Sequence, residues 1–107
     1  MKFFTVVDTM IRISYPTAEG IYNLHLKERI DKIKEDAKQG DKSWEINISA
    51  LLDKTAELTE KHINELPYTP IPALVTLHLG SLIKKAREDI RIDIQNNEAS
   101  SSSLLLR

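Results

Sequence analysis

The chain has 107 residues, 41% of them hydrophobic and 29% charged, with a formal net charge of −1 and no cysteine. A chain of this length makes one domain that buries roughly two-thirds of its unfolded surface, enough for a modest core but not for a large enclosed active site. The charge balance excludes a global field that draws the protein to nucleic acid or anionic membrane. The missing thiols exclude a disulfide framework, a thiolate zinc site and thiol catalysis.

Met1-Lys2-Phe3-Phe4 starts with one basic residue, but Asp8 and Arg12 interrupt before an apolar run of signal-peptide length forms, so a cytoplasmic protein without a membrane partner is expected. Residues 3–15 read two ways. Phe3, Phe4, Val6, Val7, Ile11, Ile13 and Tyr15 favour a strand by propensity, with the alternating segment Asp89-Ile90-Arg91-Ile92-Asp93-Ile94 as the available partner. Val6, Val7, Met10, Ile11 and Ser14 also share one helical face, and both readings stay open.

Pro16-Thr17-Ala18-Glu19-Gly20 predicts a break and a helix start, with Thr17 as N-cap. Tyr22, Leu26, Ile30, Ile33 and Ala37 then recur at spacings of three and four, and Gly40 stands in the C-terminal cap position, so a first long helix is expected over about Ala18 to Gln39. Its outer face pairs Lys27 with Asp31 and Glu28 with Lys32 at i,i+4, the pattern of a solvated surface. Asp41-Lys42-Ser43 is a turn, and the next helix begins at Trp44 or, from Ser49, at Ala50. Ile48, Leu51, Leu52, Thr55, Leu58, His62 and Leu66 give it a broad apolar stripe that Thr59 and Ile63 widen, and it is expected to end at Leu66.

Pro67, Pro70 and Pro72 make residues 67–72 the hinge of a helical hairpin: Pro67 terminates one helix and Pro72 initiates the next. Leu74, Val75, Leu79, Leu82, Ile83, Ala86 and Ile90 then keep the helical period, with Gly80 the weak link unless a neighbouring helix comes close. Residues 96–107, Ser-rich and closing on Leu104-Leu105-Leu106-Arg107, read as a flexible tail after a single helical domain over 1–95, or as a docking peptide. The fold expected is all-α, an up-and-down bundle of three long helices with a possible fourth at the N-terminus.

No motif points to an enzyme. His25, His62 and His78 offer only His-x-x-Glu spacing (His25 with Glu28, His62 with Glu65), not the Glu-x-x-His of bundle di-metal sites, so neither metal nor cofactor is expected. There is no Gly-x-Ser-x-Gly elbow and no glycine-rich phosphate loop. The apolar stripes are too wide for one chain to cover, and a homodimer burying Trp44, Ile63 and Leu77 is expected, acting in protein-protein interaction with a partner the sequence does not identify. The alternative is shape-based binding of double-stranded RNA or DNA through Lys84, Lys85, Arg87 and Arg91 on the last helix, joined by Lys32 and Lys38. Helical hairpins of small viral silencing suppressors offer an analogy of architecture alone.

Overall fold

The computed structural model describes the backbone of residues 2–105 and the side chains of residues 5–97. Helices α1 (Lys2–Ile21), α2 (Lys27–Lys38), α3 (Trp44–Asp53), α4 (Thr55–Ile63) and α5 (Pro72–Leu105) follow in order, with a π-helical turn at Tyr22–Leu26 joining α1 to α2. No strand occurs among the described residues, and residues 3–15 and 89–94 are helical. Among the described residues no helix is long and apolar enough to cross a membrane.

The break expected at 16–20 does not occur, because α1 continues through Pro16. Proline lacks the N–H that would bond the Arg12 carbonyl, and its ring crowds the preceding turn. Hydroxyls of the same stretch bond back onto the helix on either side of the gap, Thr17 Oγ1 donating to the Ile13 carbonyl at 2.6 Å and Ser14 Oγ to the Met10 carbonyl at 2.6 Å, but neither reaches the Arg12 carbonyl. Thr17 is therefore a mid-helix residue and not an N-cap. Burial holds the segment helical, since Ser14, Thr17, Ala18 and Ile21 are all buried at spacings of three, one and three.

The π turn corrects the register. Ile21 and the next buried residue, Leu26, are five apart, and Lys27 N–H bonds the Tyr22 carbonyl, an i→i−5 step. One inserted residue lets the α1 stripe and the Leu26, Ile30, Ala37 stripe of α2 face the same core. Partial burial raises the Tyr22 hydroxyl pKa, and the negative Asp31 and Asp89 raise it further.

Gly40 ends α2 as expected, with φ of 103°. Its N–H bonds the Ala37 carbonyl at 3.1 Å and Asp41 N–H bonds the Asp36 carbonyl at 3.0 Å, the paired bonds of a Schellman cap. Trp44 is the start of α3, but Ser43 does not cap it with its side chain. The Ser43 hydroxyl and N–H both donate to Asp41 Oδ1, at 2.6 and 2.9 Å. These two bonds, the hydroxyl's first, hold the Asp41 carboxyl below its ordinary pKa. The stability this lends is present above the unfolded-state pKa and is lost as pH falls through the folded one.

The second long helix is divided. Lys54 interrupts it with a single non-helical residue, and Thr55 Oγ1 takes up the Leu52 carbonyl at 2.9 Å. Its end falls at Ile63 and not Leu66, because the residue before Pro67 is disfavoured in the helical region. Pro72 is the first residue of α5, and Val75 N–H bonds the Ile71 carbonyl at 3.1 Å. The helical backbone carries on past residue 95 through the polar run, while the side chains of Leu104, Leu105 and Leu106 lie outside the described residues.

Three contacts set the directions of packing. Ser14 Oγ meets Ile71 N at 2.8 Å, Lys34 Nζ meets Asp93 Oδ2 at 3.2 Å, and Arg91 Nη2 meets Glu45 Oε1 at 3.4 Å. The rod α1–α2 and helix α5 thus run side by side in the same direction, and α3–α4 returns between their ends. Ile21, Leu26, Ile30, Ile48, Val75, Leu79, Ile83 and Ile90 fill the shared core. A Cβ added at Gly80 would stand 4.0 Å from Leu52 Cδ2, ordinary contact, so crowding does not demand glycine there.

The parallel pairing leaves α1 projecting. Residues 2–13 precede the level at which Ser14 meets the start of α5, a reach of about 18 Å at helical rise. No side chain from Thr5 to Ile13 is buried.

Candidate functional site

The projecting half of α1 carries an open groove of about 680 Å³. Val6, Met10 and Ile13 form its helical wall with Thr5 and Thr9, and the loop residues Tyr68 and Thr69 stand opposite. The loop is fixed to α1 by Ser14 Oγ accepting the Ile71 N–H and by a 3.3 Å contact between Thr17 Oγ1 and the Tyr68 hydroxyl. The lining is mostly apolar, and Val6 is 57% exposed. Among the described side chains of this half the two charges pair with each other, Arg12 Nη2 lying 3.0 Å from Asp8 Oδ2.

The residues expected at a dimer interface do not converge. Trp44, only 8% exposed, packs within the protomer's own core, because it starts α3 where the chain turns back onto α2 and α5. Ile63 is half-buried at the far end of the α3–α4 arm, and Leu77, 69% exposed on α5, is alone in being offered fully to solvent.

Of the basic residues on α5, Lys84 and Lys85 are exposed, Arg87 is half-buried, and none of the three has an ion-pair partner among the described residues. Arg91 is held between Glu88 Oε2 at 3.0 Å and Glu45 Oε1 at 3.4 Å, which neutralises it where it stands. Lys32 and Lys38 are exposed on α2, and between them Lys34 is paired with Asp93.

The histidines fall into two settings. His25 of the π turn and His62 of α4 meet edge to face with centroids 5.8 Å apart, a contact that a 37-residue separation hides from any sequence pattern. His78 stacks edge-on to Tyr15 at 5.1 Å, and its Nε2 lies 3.7 Å from Glu19 Oε1, too far for a hydrogen bond and within ion-pair range when the ring is protonated. Among the described residues no three potential ligands cluster as a metal site.

The groove on α1 is the feature that the sequence reading missed. Its signal is present in the shared helical face of Val6, Val7 and Met10, but nothing local reveals that α5, which starts at Pro72, is the helix that faces α1 and that Ser14 is where the two first meet. Comparison with protein-family models, curated proteins and solved structures finds no match for this chain.

Proposed function

We propose that this is a small non-enzymatic interaction protein that acts as a homo-oligomer, an adaptor or accessory factor whose first partner is a second copy of itself. The observation that carries this reading is the apolar groove on the projecting half of α1, at which Val6, Met10, Ile13 and Tyr68 have no covering element among the described residues. A groove lined by apolar and hydroxyl side chains with no charged residue among them suits a self-complementary two-fold contact, in which each copy presents the same patch to the other. In this reading residues 67–72 are the hinge of an up-and-down bundle, and they hold the groove's second wall in place.

The test is the mass in solution. Light scattering should return about twice the 12.2 kDa of the chain at micromolar concentration. Met10→Lys together with Ile13→Lys should return the monomer mass with helicity retained, since neither residue is buried in the protomer. A monomer mass for the unaltered chain across a tenfold dilution series refutes the reading.

A second reading is favoured by one observation: among the described residues Lys84, Lys85 and Arg87 have no carboxylate partner. If these three engage a duplex, log K should fall against log salt with a slope of about −3, from roughly −0.9 per phosphate contact on B-DNA. Lys84→Glu with Lys85→Glu should flatten it. A gel shift at low salt that shows no binding, or equal binding by the variant, leaves the first reading alone.

A further inference from the structure

A second cleft, of about 280 Å³, opens between the α1–α2 rod and the α3–α4 arm, and its charge is unbalanced. Leu26 and Leu51, both buried, and the half-buried Leu58 form its apolar floor. Arg29 from α2, Lys54 from the α3–α4 interruption and Lys61 from α4 line it with a single carboxylate, Glu57, and with the exposed His25. Three cations against one anion leave two positive charges in a chain whose net charge is −1. Glu57 and Lys61 are spaced i,i+4 in the order that favours pairing. Yet among the described residues neither they nor Arg29 and Lys54 form an ion pair within 4.0 Å. The cleft between α2 and α3 differs, since its Lys38 and Lys42 are matched by Asp41 and Glu45.

The backbone marks the same place independently. The π turn at Tyr22–Leu26 and the interruption at Lys54 are departures from regular α-helix, and residues of both line this cleft. A π turn inserts a residue at some cost in regularity and is frequent at functional sites. Here it places His25 at the cleft wall, edge to face with His62. Like charges gathered over an apolar floor repel one another until an anion enters between them.

We propose that this cleft binds a small organic anion, with a phosphate or carboxylate head held by Arg29, Lys54 and Lys61 and a compact apolar body lying on Leu26, Leu51 and Leu58. The volume is just below the usual range of small-molecule pockets, from about 300 Å³ upward, which limits the body to the size of a single ring. The site does not depend on the homo-oligomer reading.

The experiment is a two-dimensional amide NMR titration of the full chain at constant ionic strength with three probes: phenyl phosphate, inorganic phosphate and phenol. Phenyl phosphate should saturate with shifts confined to residues 25–29 and 51–61, and should bind several-fold tighter than either half of it alone. Lys54→Gln with Lys61→Gln should weaken it by about tenfold or more, since the anionic head then keeps one of its three cationic partners. Lys54→Arg with Lys61→Arg should retain binding, which separates loss of charge from loss of fold. Lys84→Gln with Lys85→Gln should change nothing. Phenol binding as tightly as phenyl phosphate, shifts spread over all surface lysines, or equal weakening by the two glutamine pairs overturns the proposal, as does a titration without shifts.

Discussion

Leu79→Ala is expected to lower the unfolding free energy by about 2–5 kcal/mol, while Pro72→Ala changes it by no more than about 1 kcal/mol. Leu79 has no exposed surface and stands between Val75 and Ile83, also fully buried, on the face of α5 that meets the rest of the core. Truncation there removes the transfer free energy of the deleted atoms and leaves a cavity that its helical neighbours cannot close. Pro72 is exposed at the first position of α5, where the missing N–H is one a helix leaves unbonded in any case. Denaturant midpoints with a common slope measure both variants. Equal shifts would show that Leu79 does not anchor the core.

Where elements end was legible when a single residue dictates local geometry. Gly40 at φ of 103° and Pro72 at the start of α5 each act within one turn, and both fall where the sequence places them. The errors lie where tertiary burial overrides local preference. Pro16 with Gly20 has the composition of a break, but Ala18 and Ile21 between and beside them have no exposed surface, and that packing keeps the helix whole. Lys54 is a good helix former with nothing in its neighbourhood that forecasts an interruption. The π turn did leave a trace: the core positions step by three and four up to Ile21, step by five to Leu26, and step by four again to Ile30. Reading the pattern from Tyr22 onward as a separate helix discards the step that reveals the insertion.

The candidate sites were legible in residue type and not in arrangement. The basic face of α5 is present, but the pairing of Arg91 with Glu45 joins residues 46 apart and follows from how α3 leans on α5. Trp44 illustrates the converse. A lone tryptophan at a helix start suits an exposed anchor as well as a core filler, and only the Gly40 turn, by folding α3 back on α2, decides that it is buried. The groove on α1 and the cationic cleft both depend on relative helix placement, which a periodicity argument does not supply.

Ser14→Ala is expected to cost about 1–3 kcal/mol, the range for leaving a buried polar partner unsatisfied. Ser14 has no exposed surface, and its hydroxyl makes two bonds at once, donating to the Met10 carbonyl at 2.6 Å and accepting from the Ile71 N–H at 2.8 Å. The first bond is dispensable, since the helix bonds that carbonyl through the backbone as well. The second is not, because Ile71 is the residue just before α5, and its amide has no helical acceptor. Thr17 gives the same loop a weaker tie, 3.3 Å to the hydroxyl of Tyr68, which is 44% exposed, so Thr17→Val should cost less than Ser14→Ala. The consequence reaches the groove, whose second wall is Tyr68 and Thr69. Hydrogen exchange locates the effect: in Ser14→Ala the Ile71 amide should lose protection while the α5 core amides beyond Val75 keep theirs relative to global stability. Undiminished protection at Ile71 would mean that another acceptor holds the loop, and that Ser14 is not what fixes the groove's second wall against α1.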